Sequence, residues 1–446
     1  MSQSVLAGSL VGKHLILLLV VAVLLGGGGV AYGLNNLVVQ LVALAILAFN
    51  RAAFLAFWNQ APILLRLLVG ASLALPLLHL VPLPYDWIAG LPGRDHLIAT
   101  SQLLEIENAS PLSMAPHRTI VAASALIVPL TILTLGWSLK REDLNSLVLT
   151  TIGISLFVVA VGFAQVLSGD QSLLFYPENL MPNVLFGTFA NRNSAGLFCV
   201  ALLCFAIIPL WQKLSRAQQI ARWSITVLLL LAVFLTQSRT AIVLALIPLG
   251  IAGIRLIVQF AGGDSNDHSI FRRPAWLANG AAALTALLVA GVALSSSARI
   301  ETVMDRFQQS GDARTYLWSD ALYSAERYWP VGAGLGAFDE VFQSDEALEN
   351  LTLKKAGRAH NDYLELAIEG GLPAILLLLS WFTYCLWVTF SARNFANRWS
   401  AWSGSAVLTV IALQSATDYP LRNLTILAVA ALALLVMVKS EEGTRA

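Results

Sequence analysis

The feature that most constrains this chain is the recurrence of apolar runs of about 20 residues, the length an α-helix needs to cross a bilayer. LILLLVVAVLLGGGGVA (Leu15–Ala31) and LTILAVAALALLVMV (Leu424–Val438) are two examples from opposite ends of the sequence. Composition says the same: 57% of the 446 residues are hydrophobic and 12% are charged. Soluble proteins carry roughly a quarter charged residues. Length alone suggests about three soluble domains, but the repeated spans override that and imply an all-α integral membrane protein. The first span is too long and too glycine-rich for a cleaved signal peptide, and no small-residue cleavage site stands out.

Hydropathy predicts about twelve membrane helices. They fall near 13–32, 35–56, 61–82, 119–138, 144–167, 194–211, 223–236, 241–260, 276–295, 372–391, 401–417 and 424–438. Lys140 and Arg141, then Lys213, Arg216 and Arg222, then Arg272 and Arg273, then Arg393 and Arg398, and finally Lys439 all sit in alternate connections. That alternation marks the cytoplasmic side, with both termini inside. The intervals 82–118, 168–193, 236–240, 296–371 and 418–423 then share the opposite face. Three units follow: 1–295 with nine helices, a large partly helical loop over 296–371, and 372–446 with three helices.

The loop carries seven Arg and Lys against thirteen Asp and Glu, so its arginines are not topology signals. Asp312 reads as the N-cap of a helix over 313–328, with Pro330 and Gly332, Gly334 and Gly336 ending it. A second helix is predicted from about His360 to Glu369, stopped by Gly370 and Gly371. The GAGLGAF run (Gly332–Phe338) superficially suggests a nucleotide loop, but no strand precedes it, and a tight turn fits better.

The reactive candidates all fall on that one face. Histidine has the near-neutral pKa that suits a general base, which makes His360 the first candidate, with Asp362 and Glu365 close enough in sequence to tune it or simply to be solvated helix charges. Arg239 lies in the very short TQSRT turn (Thr236–Thr240), where an arginine at the membrane interface needs a partner. Arg239, Arg314 and Arg192 are of the type that binds phosphate in bidentate fashion. Asn191 and Asn193 can bond a sugar or phosphate or cap the sixth helix, and Asp418 can pair with an arginine or be a plain loop aspartate. Arg66 and His79 are the only doubtful polar residues at mid-depth. Cys199, Cys204 and Cys385 lie in apolar runs without ligand spacing, so neither disulfides nor a metal site is expected. The net charge of +1 implies no nucleic-acid partner. No acidic metal cluster is visible in these intervals. The residues together suggest arginines gripping an anionic phosphate at the membrane surface while a histidine handles a proton.

FGTFANRNSAG (Phe186–Gly196), TQSRTA (Thr236–Ala241), DARTYLWSDAL (Asp312–Leu322) with the following P-x-G-x-G-x-G (Pro330–Gly336), and AHNDYLELAIEGGLP (Ala359–Pro373) occur in this order. Together they resemble the O-antigen ligase and polymerase superfamily of bacterial envelope glycosyltransferases. The resemblance covers about Phe186 to Pro373, and the flanking helices only in hydropathy. It implies a twelve-helix inner-membrane protein with a large periplasmic loop between helices 9 and 10. The implied donor is an undecaprenyl-diphosphate-linked glycan, used without metal, nucleotide or other cofactor. His360 maps to the family's base, and Arg314 and Arg239 to its diphosphate ligands, with Arg192 and Asp418 as weaker correspondences. The implied acceptor is lipid A-core in a ligase, a growing glycan in a polymerase, or a protein. The loop's moderate length and the lack of an added carboxy-terminal domain lean toward ligase. A lipid-linked-glycan transporter is the competing class. It predicts ionisable residues at mid-depth and repeated broken helices, for which the sequence offers little.

Overall fold

Every long apolar run that the structure describes is helical, as backbone groups in lipid must be satisfied within their own segment. The computed structural model describes residues 2–168, 173–176, 181, 183–208, 210, 215–261, 314–351, 355–392 and 395–445. The helices before the large loop are α1 (Ser2–Leu25), α2 (Gly33–Phe49), α3 (Arg51–Gln60), α4 (Ile63–Leu78), α5 (Tyr85–Ala89), α6 (Asp95–Leu104), α7 (Pro116–Ala125), α8 (Ile127–Gly136), α9 (Arg141–Ser168), α10 (Arg192–Ile207), α11 (Arg216–Leu235), α12 (Arg239–Leu244) and α13 (Leu246–Ala261). Beyond it come α14 (Arg314–Arg327), α15 (Phe338–Asp345), α16 (Asp362–Ser391), α17 (Phe395–Ser415) and α18 (Leu424–Arg445). The one ladder among the described residues pairs Pro82–Leu83 with Ser110–Pro111.

Among the described residues, five helices are long and apolar enough to cross a membrane, or six if a bent pair counts as one span. The expected twelve are therefore not all present as uninterrupted spans. The predicted 35–56 helix is two pieces, α2 and α3, meeting at 79°. Asn50 sits at that break, where its amide bonds the Ile46 carbonyl at 2.7 Å and the His14 ring at 2.8 Å. α4 and α10 are apolar but have only 16 residues each. The predicted 276–295 helix lies outside the described residues. Neither doubtful polar residue hangs free in an apolar span. Arg66 donates to the Trp58 carbonyl at 2.5 Å, closing the end of α3. His79 follows the last residue of α4.

α10 is the axis of the bundle. Every residue from Ser194 to Ile207 is buried, as expected of a helix apolar all round. α17 runs antiparallel to it: Asn193 meets Asp418 just past one end, and Ser403 Oγ donates to the Cys204 carbonyl at 3.3 Å near the other. Cys199, Cys204 and Cys385 are free thiols. A buried glutamine, Gln165 of α9, holds the turn before α10. Its Oε1 accepts from the amides of Phe186 (3.3 Å) and Gly187 (2.9 Å), and its Nε2 donates to the carbonyls of Leu173 (3.0 Å) and Gly187 (2.9 Å).

The large loop has a small core of its own around Ala321, Tyr328, Phe338, Phe342 and Ile368. The glycine run after α14 is a strap, as a tight turn predicts. Gly332, Gly334 and Gly336 all have positive φ, a region that side chains resist. The strap threads between two backbones. The amides of Ala333 and Gly334 bond the carbonyls of Ile368 and Glu369 at 2.8 and 2.7 Å, and Met114 N bonds the Ala333 carbonyl at 2.7 Å. A Cβ on Gly332 would lie 2.5 Å from the Glu369 carbonyl oxygen. Arg94, only 1% exposed, donates to the carbonyls of Leu112 and Gly332 at 2.9 and 3.0 Å. His79 Nδ1 accepts from Leu335 N at 3.0 Å. The loop is thus fastened to the end of α4 and to the 94–119 segment.

Candidate functional site

The site forms where three breaks in the helical pattern meet: the turn before α10, the start of α16, and the 418–423 turn between α17 and α18. Asn361 is the N-cap of α16, its side chain accepting from the amides of Tyr363 and Leu364 at 3.0 and 3.2 Å. That cap starts the helix at Asp362, two residues later than expected. His360 therefore stands before the helix rather than on its inner face, in a left-handed conformation with φ 51°. Such backbone is uncommon for a non-glycine residue. It is held on both sides, by Asn361 and by the Ala359 amide, which donates to Glu365 Oε1 at 2.9 Å.

From this position His360 Nδ1 lies 3.1 Å from Asp418 Oδ1. Asp418 is anchored by two amides, since its Oδ2 accepts from Asn191 Nδ2 at 3.2 Å and Asn193 Nδ2 at 2.9 Å. Its side chain is 3% exposed, whereas that of His360 is 35% exposed. A carboxylate can only accept, so Nδ1 carries the proton of this contact, and in the neutral imidazole Nε2 keeps its lone pair. Asn191 also caps α10, accepting from Asn193 N at 2.8 Å. Of the expected roles of Asn191, the structure shows the cap, with the side-chain amide turned to Asp418.

Tyr419 closes the imidazole from the side, edge-on at 4.9 Å between ring centroids. Its hydroxyl is hydrogen-bonded to the Asn191 side chain. Burial pushes the phenol up to about 12, the Asp418 carboxylate acting in the same direction, so it stays a neutral hydroxyl.

Asp362 does not contact His360 through the bonds seen here. It turns inward, accepting from Ser415 Oγ at 3.0 Å and Leu421 N at 3.2 Å. It belongs to a buried ion cluster with Glu365 and Glu369 around Arg422. Arg422 Nη2 lies 2.7 Å from Glu369, 3.1 Å from Glu365, and its Nε 3.9 Å from Asp362. Burial opposes the guanidinium charge, but Glu369, Glu365 and Asp362 more than offset it and hold Arg422 above its ordinary value. Arg358 adds a 3.2 Å bond to Glu365. This cluster ties the start of α16 to the 418–423 turn, and so fixes His360 relative to Asp418. Sequence reasoning missed Arg422, Glu369 and Tyr419. The one signal was the polar density of TDYPLRN between two apolar helices.

Arg192 is the first residue of α10, and its Nη1 is buried without a hydrogen-bond partner among the described residues. Arg239 opens α12 behind the Ser238 cap, and its side chain is exposed. The 236–241 turn packs on the first turns of α10, where a Cβ on Gly196 would meet Ala241 Cβ at 2.6 Å and Thr236 Oγ1 at 3.0 Å. Arg314 begins α14, and its side chain lies outside the described residues. One turn on, Trp318 Nε1 donates to the Ala359 carbonyl at 2.9 Å, joining α14 to the residue before His360. Asp312 and Ala313 fall outside the described residues.

No curated protein matches the chain. A family model does: residues 224–379 match O-antigen ligase. The match takes in the 236–240 turn, the whole of the large loop with His360, and the buried start of α16. The matched segment is similar to O-antigen ligase, consistent with the O-antigen ligase and polymerase superfamily.

Proposed function

We propose that the protein is an O-antigen ligase-like glycosyltransferase. It moves a glycan from undecaprenyl diphosphate to a hydroxyl of lipid A-core, at the periplasmic face of the bacterial inner membrane, with both termini cytoplasmic. The observation that carries this is the His360–Asp418 dyad, a half-exposed imidazole on a buried, amide-anchored carboxylate, whose histidine lies inside the family-matched segment. His360 Nε2 takes the proton from the acceptor hydroxyl as its oxygen attacks the anomeric carbon. The bond from that carbon to the diphosphate oxygen breaks, and the diphosphate leaves with the electron pair. Arg239, Arg314 and Arg192 bind it and stabilise its growing charge. Asp418 keeps the imidazole in the productive tautomer and balances the positive charge it gains. No metal is assigned a role in this reading.

The superfamily supports a second reading, a polysaccharide polymerase or protein O-glycosyltransferase, which uses the same donor steps and differs only in acceptor. The experiment uses purified protein in detergent with undecaprenyl-diphosphate oligosaccharide and EDTA, with lipid A-core added or omitted. Product only with lipid A-core supports the ligase. Lengthening of the glycan without it supports the polymerase. His360→Ala is expected to abolish transfer while donor binding persists, and full activity in that variant would refute the assignment of the base.

A further inference from the structure

Gln414 is 1% exposed, yet neither its amide nitrogen nor its amide oxygen has a hydrogen-bond partner among the described residues. That is an unfavourable place for an amide, because buried polar groups are retained almost always with partners. Gln165 shows the contrast in the same bundle, with four bonds made by its two amide atoms.

The position of Gln414 gives its unused amide a meaning. Its backbone carbonyl accepts from Asp418 N at 2.9 Å, so it begins the turn that presents Asp418 to His360. On α17, residues 403, 407, 410 and 414 form one stripe by helical spacing. Ser403 on this stripe bonds the α10 backbone, and Val407 and Val410 are fully buried. Gln414 thus continues the α10-facing stripe toward the first turn of α10, one helical turn from the Asp418–Asn193 contact. Ser415, one residue on, lies off this stripe and bonds Asp362. Two more buried polar atoms without partners among the described residues belong to the same junction: Thr188 Oγ1 and Arg192 Nη1, on the turn and the first residue of α10. Gly27 and Asn423 close that junction, as the Gly27 carbonyl accepts from both Ala190 N and Asn423 Nδ2.

We propose that Gln414 is a substrate-binding residue that hydrogen-bonds a sugar hydroxyl beside the His360–Asp418 pair. The proposal rests on the glycosyltransferase reading. An amide both donates and accepts, and so does a hydroxyl, so one sugar hydroxyl satisfies an amide donor or acceptor in either sense. A phosphate only accepts and leaves Oε1 unpaired. The long, unbranched side chain has the torsional freedom to swing toward the site when the sugar arrives.

The hydroxyl can belong to the donor sugar next to the diphosphate or to the acceptor sugar, and one experiment separates the two. Full-length Gln414→Met, near-isosteric and unable to donate, is compared with wild type in detergent, with Gln414→Glu as a second variant in case the first folds poorly. The readouts are thermal midpoint, Kd for undecaprenyl-diphosphate oligosaccharide, Kd for undecaprenyl diphosphate without sugar, and KM for the acceptor. The expected result is an unchanged or raised midpoint with about a tenfold loss in a sugar-dependent quantity, the equivalent of one hydrogen bond. Loss in the oligosaccharide Kd alone assigns the donor sugar, and loss in acceptor KM alone assigns the acceptor. A lowered midpoint with every affinity unchanged overturns the proposal, because the amide is then held by a buried water. Unchanged values throughout overturn it as well. If wild type itself shows neither oligosaccharide binding nor transfer, the glycosyltransferase reading fails, and the proposal falls with it.

Discussion

Replacing Asp418 by asparagine tests the dyad more sharply than removing His360, because the substitution changes almost no volume. Asp418 accepts on two sides: from His360 Nδ1 on one oxygen, and from Asn191 Nδ2 and Asn193 Nδ2 on the other. An asparagine has only one acceptor oxygen and must choose between them. Facing that oxygen to Asn191 and Asn193 keeps two hydrogen bonds. Facing it to His360 keeps one and sets three amide N–H groups against one another. At roughly 1 kcal/mol per retained bond, and more for a buried donor left without an acceptor, the first orientation wins. The asparagine NH2 then donates to Nδ1, which drives the imidazole proton to Nε2 and removes the lone pair that would take the acceptor's proton. The expected loss in kcat is about 10²–10⁴-fold, the range of a positioned general base. Donor Kd and thermal midpoint should stay near wild type, because packing is unchanged. The assay is transfer at saturating donor and acceptor across pH 6–9, with donor affinity measured separately. Activity within threefold of wild type would refute the tautomer argument and leave Asp418 as an anchor for the 418–423 turn alone.

Other parts of the site make separate claims. Arg422→Met leaves Glu365 and Glu369, both fully buried in their side chains, without their shared cation; we expect about 3–5 kcal/mol of destabilisation, read as a lower thermal midpoint in detergent. Arg239→Ala and Arg314→Ala should each raise the donor Kd by about 10–100-fold, the loss of a charge-assisted hydrogen bond, and unchanged donor affinity in both would remove the arginines from the diphosphate site. His79 is 4% exposed, and burial lowers its pKa to about 4, against a smaller upward pull from Glu369. The unfolded chain takes up that proton near pH 6.5, so between pH 6.5 and about 4 it binds more protons than the folded one. Stability should therefore fall as pH falls through that window, by up to about 3 kcal/mol. His79→Asn keeps an acceptor for Leu335 N, and its thermal midpoint should depend less on pH over the same range.

What could be read from the sequence was local in its physics, and what could not was long-range. Gly371 breaks α16 with φ 56°, as the Gly-Gly-x-Pro spelling implies, because a left-handed residue followed by a proline is decided by neighbours. Asn361 takes the cap, so the helix starts two residues past His360, which leaves His360 off the helix and in reach of Asp418. The partners that make the site lie far apart along the chain: 58 residues separate His360 from Asp418, and 53 separate Glu369 from Arg422. Nothing in either stretch alone distinguishes a carboxylate that orients a base from one that neutralises an arginine. Asp362 was a reasonable guess for the first role and holds neither ring nitrogen, because the inward face of α16 turns it to Ser415 and Leu421. The bend within the predicted 35–56 helix is illegible for a related reason. Hydropathy sums side chains and does not register a bend, so the apolar run through Asn50 looked continuous although its two halves diverge by 79°. Gln165 and Gln414 make the same point at the scale of one residue. In the sequence both are glutamines near the ends of apolar runs, and only the surrounding backbone decides that one is saturated and the other is left with an amide to offer.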